Sequence, residues 1–375
     1  MNIEMKKKIL YVAFAPILKG NGVAQKILAQ RDAFIDLGNE VYFCFFMEEH
    51  GRTTAYINEK VFFCLGGHVL YQFNIFRFYG KLANYVTANG FDAVYIRYEK
   101  NANAGFVSFL NQIEGRCVRI MEIPTYPYDS EIHNASLYRK LRLWEEKHYR
   151  TKFSSCLEYI VTFTDDAYIF GVKTLKISNA VDDKAIGIRK KGMGQDCDIS
   201  LIGVANLAFW HGYDRLLYGL KEYYNNGGAK KIIFRIVGEG NKEERMRLKK
   251  IVETEGLENS VFFYGNKSGE ELDELFNKAD FAIGCLGCHR KNIITVKSLK
   301  NVEYAMRGIP FIYSEVNEDF DFMPFVLKAP ADDTPIDINR IVDFLDHHCF
   351  SPSDIRSEVS HLTWKKQMEI VSAHF

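Results

Sequence analysis

The chain of 375 residues predicts an α/β protein made of two doubly wound, Rossmann-like domains. Three observations carry this reading. Short apolar runs alternate with stretches of helical period through both halves of the chain. The alternation breaks at a polar, glycine-containing segment over residues 184–195, which reads as a linker. It then restarts at once with a fresh strand, and the length suits two domains better than one.

The elements follow in order. Residues 9–14 form an apolar run ahead of Gly20-Asn21-Gly22, as a buried parallel strand should. Residues 23–37 carry Ile27, Phe34 and Leu37 at helical spacing, and Gly38 stops the helix. Strands are expected at 41–46, 91–96, 118–123 and 159–164. After the linker come strand 198–203 and helix 214–224, closed by Gly227-Gly228. Strand 231–237 then turns through Gly238-Glu239-Gly240 into helix 243–254. Strand 261–264, helix 270–278, strand 281–284, helix 299–307 and strand 310–313 complete the series, and a last helix over 354–373 is expected to return to the first domain. The predicted domains are therefore 1–183 with 354–375, and 196–350. Sheets of this kind bind ligands at the carboxyl ends of their strands, so a cleft between the two sets of carboxyl ends is the expected site.

Composition narrows the classes. Lys+Arg and Asp+Glu both total 48, so no bulk field points to nucleic acid. The eight cysteines lie mostly in apolar runs and read as buried thiols of a reducing compartment. Lys6-Lys7-Lys8 before the first apolar run imitates a secretory signal, but Pro16 and the missing small-residue cleavage site make it a first strand. No run approaches the roughly 20 apolar residues of a membrane span, and the expected location is cytoplasmic, with peripheral contact to a membrane left open. That contact would fall on residues 136–153. Arg139, Lys140, Arg142, Lys147, Arg150 and Lys152 there alternate with Trp144, Tyr149 and Phe153. The competing reading is an ordinary amphipathic helix with Leu137, Leu141 and Trp144 in the core. Aromatic residues at 14% likewise suit either a Phe-rich core or stacking on sugars.

The second half, from Ile199 to about Val316, resembles the retaining glycosyltransferases of family 4. The residues that carry the resemblance are Gly212-Tyr213-Asp214-Arg215, Ile236-Val237-Gly238-Glu239-Gly240, Val261-Phe262-Phe263-Tyr264-Gly265 and Ala279-Asp280-Phe281. The most specific block is Ser298-Leu299-Lys300-Asn301-Val302-Glu303-Tyr304-Ala305 with Gly308-Ile309-Pro310-Phe311. Gly20-Asn21-Gly22, Glu122-Ile123-Pro124-Thr125-Tyr126-Pro127 and Trp364 add a looser match in the first half and the closing helix. The resemblance implies a GT-B fold, two Rossmann-like domains facing each other across a cleft. It also implies transfer of a hexose-type sugar from a nucleotide-diphosphate sugar to a glycan or lipid-linked saccharide, with retention and without a cofactor, in bacterial surface-polysaccharide assembly.

On this reading Glu303 binds the donor, with Lys300 supplying positive charge one turn earlier, and the two stand with Glu122 as catalytic candidates. The amides around Ser298 and Leu299, and the helix dipole behind them, suit a diphosphate. Arg290, Lys291 and Lys297 lie just before that helix and would meet the charge developing on the leaving phosphate. Gly20, Asn21, Gly22, Gly238 and Asn266 complete the expected donor side, and Thr125 and Tyr126 the acceptor side. Two positions depart from the family. Val204-Ala205-Asn206 and His211 stand where an Arg and a Lys are usual, so His211 with Lys291 or Lys297 is expected to replace them. Pro124 stands where a His is common.

No metal is expected. Cys285-Leu286-Gly287-Cys288-His289 has CxxC spacing, but a structural zinc site wants further ligands, and the sequence offers no second pair. Asp319-Phe320-Asp321 is a triplet common by chance. Three other readings compete with a transferase: a catalytically weak sugar-nucleotide-binding subunit, a nucleotide-sugar epimerase, and an NAD oxidoreductase. Gln25 disfavours the last by replacing the third glycine of the dinucleotide pattern, although Glu48 imitates its ribose acid.

Overall fold

The fold was analysed on a computed structural model, which describes residues 6–17, 22–129, 137–190 and 198–375. Two compact units emerge, Met1–Ser178 with Trp364–Phe375, and Asn179–Thr363.

The first unit runs β1 (Lys8–Pro16), α1 (Gly22–Asp36), β2 (Glu40–Glu49), β3 (Arg52–Ile57), β4 (Lys60–Gly66), α2 (His68–Asn89) and β5 (Ala93–Arg97). It continues through α3 (Ala104–Gln112), β6 (Val118–Glu122), α4 (Leu137–Phe153), β7 (Tyr159–Thr162), β8 (Tyr168–Ile169) and β9 (Val172–Lys176). The strands form one sheet in the order β4-β3-β2-β1-β5-β6-β7-β9-β8. Its centre is parallel, as expected, and β1, β5 and β6 are buried along almost their whole length.

The edges are antiparallel, which the sequence reading missed. Glu49 pairs with Arg52 across His50 and Gly51, whose φ values of 50° and 70° make the tight reversal that a two-residue hairpin needs. Glu48 therefore pairs within this hairpin, opposite Thr53, and does not end a strand as a ribose acid would. The aromatic residues fill the core: Phe14, Phe46, Phe78, Tyr79 and Phe106 meet edge to face or stacked, with Phe46 and Phe78 centroids 5.3 Å apart.

The second unit runs β10 (Ile199–Val204), α5 (Tyr213–Asn225), β11 (Ile232–Val237), α6 (Lys242–Thr254), β12 (Val261–Phe263), α7 (Gly269–Asn277) and β13 (Phe281–Ile283). Then come α8 (Leu299–Met306), β14 (Phe311–Tyr313), β15 (Val326–Lys328), α9 (Ile338–His347) and α10 (Pro352–Glu358). The sheet order is β12-β11-β10-β13-β14-β15, and all pairings are parallel. The order reverses at β10, which sits between β11 and β13. Separate apolar clusters form around Leu201, Phe234 and Ile283 and around Ile202, Ala282 and Tyr304.

The domain limits differ from the sequence reading. The single closing helix is two: α10, whose Ile355 packs with Val359 and Leu362 in the second unit, and α11 (Trp364–Ser372), which returns to the first. Gln367 Oε1 accepts from the Ser178 amide at 2.7 Å, so both ends of the first unit close beside each other. The expected linker is also not free over its described part. The Arg189 amide donates to Arg307 O at 2.8 Å, and the Lys190 amide to Asn277 Oδ1 at 2.8 Å, so this stretch lies along the second unit.

Candidate donor site

The loops at the carboxyl edge of the second sheet hold one another. The Leu286 amide donates to His211 O at 2.9 Å, the Ser314 amide to Cys285 O at 2.9 Å, and the Asn241 amide to Leu207 O at 2.8 Å. Gly238 has φ 120°, and a Cβ there would stand 1.8 Å from Ala205 O. Only glycine fits between these two crossing backbones. Asn266 Oδ1 accepts from the Glu239 amide at 3.0 Å. Gly238 and Asn266, expected among the donor contacts, thus shape the loops that frame the edge.

The Ser298–Pro310 block builds α8. Ser298 occupies the N-cap position but its side chain makes no cap hydrogen bond, and Leu299 is exposed beside it. The first turn therefore offers amide donors and the positive end of the helix dipole to an anion. Tyr304 anchors the helix from below: its hydroxyl accepts from the Val204 amide at 3.1 Å and donates to Ile283 O at 3.1 Å.

Lys300 and Glu303 were expected to act side by side, and the structure separates their polar ends. Glu303 Oε1 pairs with Arg307 at 3.0 Å, and Arg307 in turn pairs with Asp273 at 2.6 Å and lies over the Phe276 ring. Lys300 sends its Nζ into an enclosed space with Cys285, Cys288 and Glu315, where it makes no hydrogen bond. Burial there lowers its pKa, against the pull of Cys285 and Glu315.

Of the basic groups before α8, two are engaged by protein acceptors. Arg290 spends its guanidinium on protein acceptors: Asp214 through both terminal nitrogens, Phe209 O at 2.8 Å and Asp333 at 2.6 Å. Lys297 is buried against Glu318 at 2.6 Å and Asp319 at 3.4 Å. His211 Nδ1 accepts from the Ala208 amide at 3.1 Å, which leaves its proton on Nε2. Burial first, and Lys300 second, push its pKa down to about 3, so His211 is neutral at pH 7 and donates as a dipole, not as a charge. Lys291 is the exposed cation of this loop, lying 4.2 Å from the centre of the Trp210 ring.

In the first unit Glu122 is 0% exposed. It accepts from Gln30 at 2.8 Å and Tyr95 at 2.6 Å and pairs with Arg97 and, at 3.8 Å, Lys26. Burial raises its pKa, but Arg97 and Lys26 outweigh this and hold the carboxyl below its usual range. Glu122 is a buried counter-ion of the β5–β6 edge, with no exposed face for a reacting group. Thr125 is exposed just beyond it, and Tyr126 packs edge-on against Phe170. Gly22 opens α1, while Gly20 and Asn21 lie outside the described residues.

Asp319 and Asp321 hold no shared position for a metal. Asp319 faces Lys297, and Asp321 accepts from Tyr313 at 2.6 Å and Lys328 at 2.7 Å. What the sequence reading missed is Glu315, two residues past β14, whose buried carboxyl joins the Cys285–Cys288 pair. No local motif marks it, because only the β13–β14 pairing brings it there. Burial drives the Glu315 carboxyl up to about 8. The hydrogen bond from Cys288 draws the Cys285 thiol down to about 6.

Residues 188–317 match the family model described as Glycosyl transferases group 1. Among curated protein sequences no relative matches significantly. Solved structures match over nearly the whole chain. A glycosyltransferase from Rickettsia africae is 11% identical with a TM-score of 0.65, covering 99% of this chain and 98% of that one. Anabaena Alr3699/HepE, solved in complex with UDP, is 13% identical with a TM-score of 0.62, covering 98% and 100%. Sucrose-phosphate synthase from Thermosynechococcus elongatus is 14% identical with a TM-score of 0.64, covering 98% of each. The fold is that of the GT-B glycosyltransferases, with two Rossmann-like units. The second unit carries a group 1 glycosyltransferase domain, and the chain is a glycosyltransferase.

Proposed function

We propose that this enzyme moves a hexose-type sugar from a nucleoside-diphosphate sugar to a glycan or lipid-linked saccharide, with retention, as a family 4 transferase of surface-polysaccharide assembly. The observation that carries the reading is the start of α8. There a side-chain-uncapped helix N-terminus opens at the carboxyl edge of a parallel sheet, inside the group 1 segment. The first-turn amides of Leu299 and Lys300 would hold the donor diphosphate and stabilise the charge that grows on it as the glycosidic bond breaks. His211 would add a neutral Nε2–H donor and Lys291 an exposed positive charge. Glu303 would accept hydrogen bonds from sugar or ribose hydroxyls, with Arg307 fixing its carboxylate. Thr125 and Tyr126 would stand on the acceptor side. That the similar Anabaena protein was solved with UDP supports a uridine donor as the first to try.

The test is a thermal-shift panel of UDP, GDP and their sugars, followed by analysis of the anomeric configuration of the product. A ligand at 100 times its dissociation constant adds about 2.7 kcal/mol. No shift with any nucleotide, or an inverted product, would overturn the reading. A second reading, a nucleotide-sugar-binding subunit of weak activity, draws on the neutralised Arg290 and Lys297 and the uncharged His211. It predicts nucleotide shifts without turnover.

Contact with an anionic membrane belongs to the same proposal. Among the described residues no helix is long and apolar enough to cross a membrane. Helix α4 buries Leu143, Glu146, Arg150 and Phe153, and it is Leu141 and Trp144 that face out, Trp144 at 72% exposure. The helix is amphipathic, but its core face carries Leu143 and Phe153 in place of the expected Leu141 and Trp144, and the Leu137 side chain lies outside the described residues. Arg142 joins α4 to α2 through Gln72 at 3.2 Å, and α2 exposes Leu70, Phe73 and Phe76 at helical spacing. Exposed Arg77, Arg139, Lys140 and Lys147 lie on the same two helices. Apolar side chains among exposed cations suit the boundary of an anionic bilayer, where a lipid-linked acceptor would be found.

A further inference from the structure

Two connections of the second sheet, after β13 and after β14, are clipped together at their start. The Gly284 amide donates to Ile312 O at 2.8 Å and the Ser314 amide to Cys285 O at 2.9 Å. This backbone frame faces Cys285 and Cys288 toward Glu315. All three are buried, and their ligand atoms lie within 4.8 Å of one another. The two sulfurs are 2.8 Å apart.

The pocket they line is polar but not satisfied. Glu315 Oε2 and Lys300 Nζ are buried without a hydrogen-bond partner, and Asn301 reaches Glu315 Oε1 only at 3.5 Å. Buried polar atoms are seldom left so, and an unpartnered carboxyl oxygen beside two thiols offers the donor set of a cation site.

We propose that Cys285, Cys288 and Glu315 bind one thiophilic divalent ion of the zinc class, with Lys300 as the outer counter-charge. The charges close. Two thiolates and a carboxylate carry three negative charges, and the ion together with the Lys300 ammonium carries three positive ones. Sulfur ligands select zinc-like ions over magnesium or calcium, which take oxygen. A tetrahedral ion about 2.3 Å from each sulfur needs the sulfurs about 3.7 Å apart, so binding opens the pair by roughly 1 Å. The three side chains leave one tetrahedral position for a water molecule. A disulfide is the competing fate of the pair. It would leave Glu315 Oε2 and Lys300 Nζ unsatisfied, and both sulfurs are buried away from an oxidant. The ion would fasten the β13 and β14 connections just ahead of α8. Its role would be structural, and the site stands whether or not the donor assignment does.

The experiment uses the full chain, purified under reducing conditions without chelator, and titrated with Co²⁺ as an optical probe. The expected result is thiolate-to-cobalt charge-transfer absorption and tetrahedral d–d bands that saturate at one equivalent and are displaced by Zn²⁺. C285S and C288S should each abolish the charge-transfer band. E315Q should keep it and weaken affinity at least tenfold. C64S, at an exposed cysteine, should change nothing. Zn²⁺ should raise the melting temperature of the parent chain and of C64S but not of C288S, and circular dichroism checks that each variant folds. A chain with Cys285 and Cys288 reactive as free thiols yet no cobalt band overturns the proposal. So does a mass two daltons low with both thiols blocked, or a band that survives in C285S.

Discussion

Arg290 and Asp214 form a two-point ion pair, Nη1 to Oδ1 at 2.9 Å and Nη2 to Oδ2 at 3.0 Å, that ties the turn after β13 to the first turn of α5. Burial raises the Asp214 carboxyl, but Arg290 and Arg247 outweigh it and hold the pKa below the usual carboxylate range. A carboxyl depressed in the folded state stabilises above its unfolded pKa, near 4, and loses that contribution as pH falls through the folded value. R290M should therefore cost on the order of 1–3 kcal/mol, because Asp214 keeps Arg247 as a partner but loses its two-point pair, and roughly 2–4 °C of melting temperature per kcal/mol. Nucleotide affinity per folded molecule should not change. A tenfold affinity loss with an unchanged melting temperature would return Arg290 to the donor site.

His211 gives a pH prediction of its own. Its folded pKa near 3 lies below the unfolded value of about 6.5, so its contribution is full above 6.5 and fades as pH falls toward 3. H211Q, which cannot titrate, should flatten the stability profile in that window, as read by melts at half-unit steps. Donor affinity should show no inflection near pH 6.5 that H211Q removes.

Glu303 is the residue whose charge transfer should miss most. E303Q keeps shape and some hydrogen bonding and should lower turnover roughly 10- to 100-fold, about 1.4 kcal/mol per tenfold. Because Arg307 fixes the Glu303 carboxylate, R307M should lower turnover in the same direction, but by less in the E303Q background. Initial rates on the four chains of that cycle decide, and additive losses would place Arg307 outside the site.

Transfer should be indifferent to magnesium. The donor phosphates are to be met by the α8 amides and Lys291, so rates with 5-fold more or no added Mg²⁺ should agree within error. Loss of activity that Mg²⁺ restores would count against this.

The α2–α4 face should bind vesicles of anionic lipid in a salt-sensitive manner, because screening weakens each cationic contact. R139E with K140E should weaken co-sedimentation through charge. F73S with W144S should weaken it through the apolar term, and that loss should persist at high salt. Binding unaffected by either pair would leave the face without this role.

Much of this protein was already determined by its sequence. The period of the apolar runs set the parallel strands β1, β5, β6, β10, β11 and β13, because burial on both faces demands continuous apolar residues. The 298–310 block predicted the helix that became α8. Tertiary structure decided how the charges are spent. Arg290, Lys297 and Glu122 read as site residues because a sequence shows a charge and not its partner. Asp214, Glu318 and Arg97, each from another element, claim them in the fold. Trp144 faces out because α4 turns Glu146 and Arg150 inward, toward Tyr98, Tyr128 and Asp129. Glu315 meets Cys285 and Cys288 only because β13 and β14 lie side by side, a neighbourhood that hydrogen bonds between distant segments create and no local pattern records.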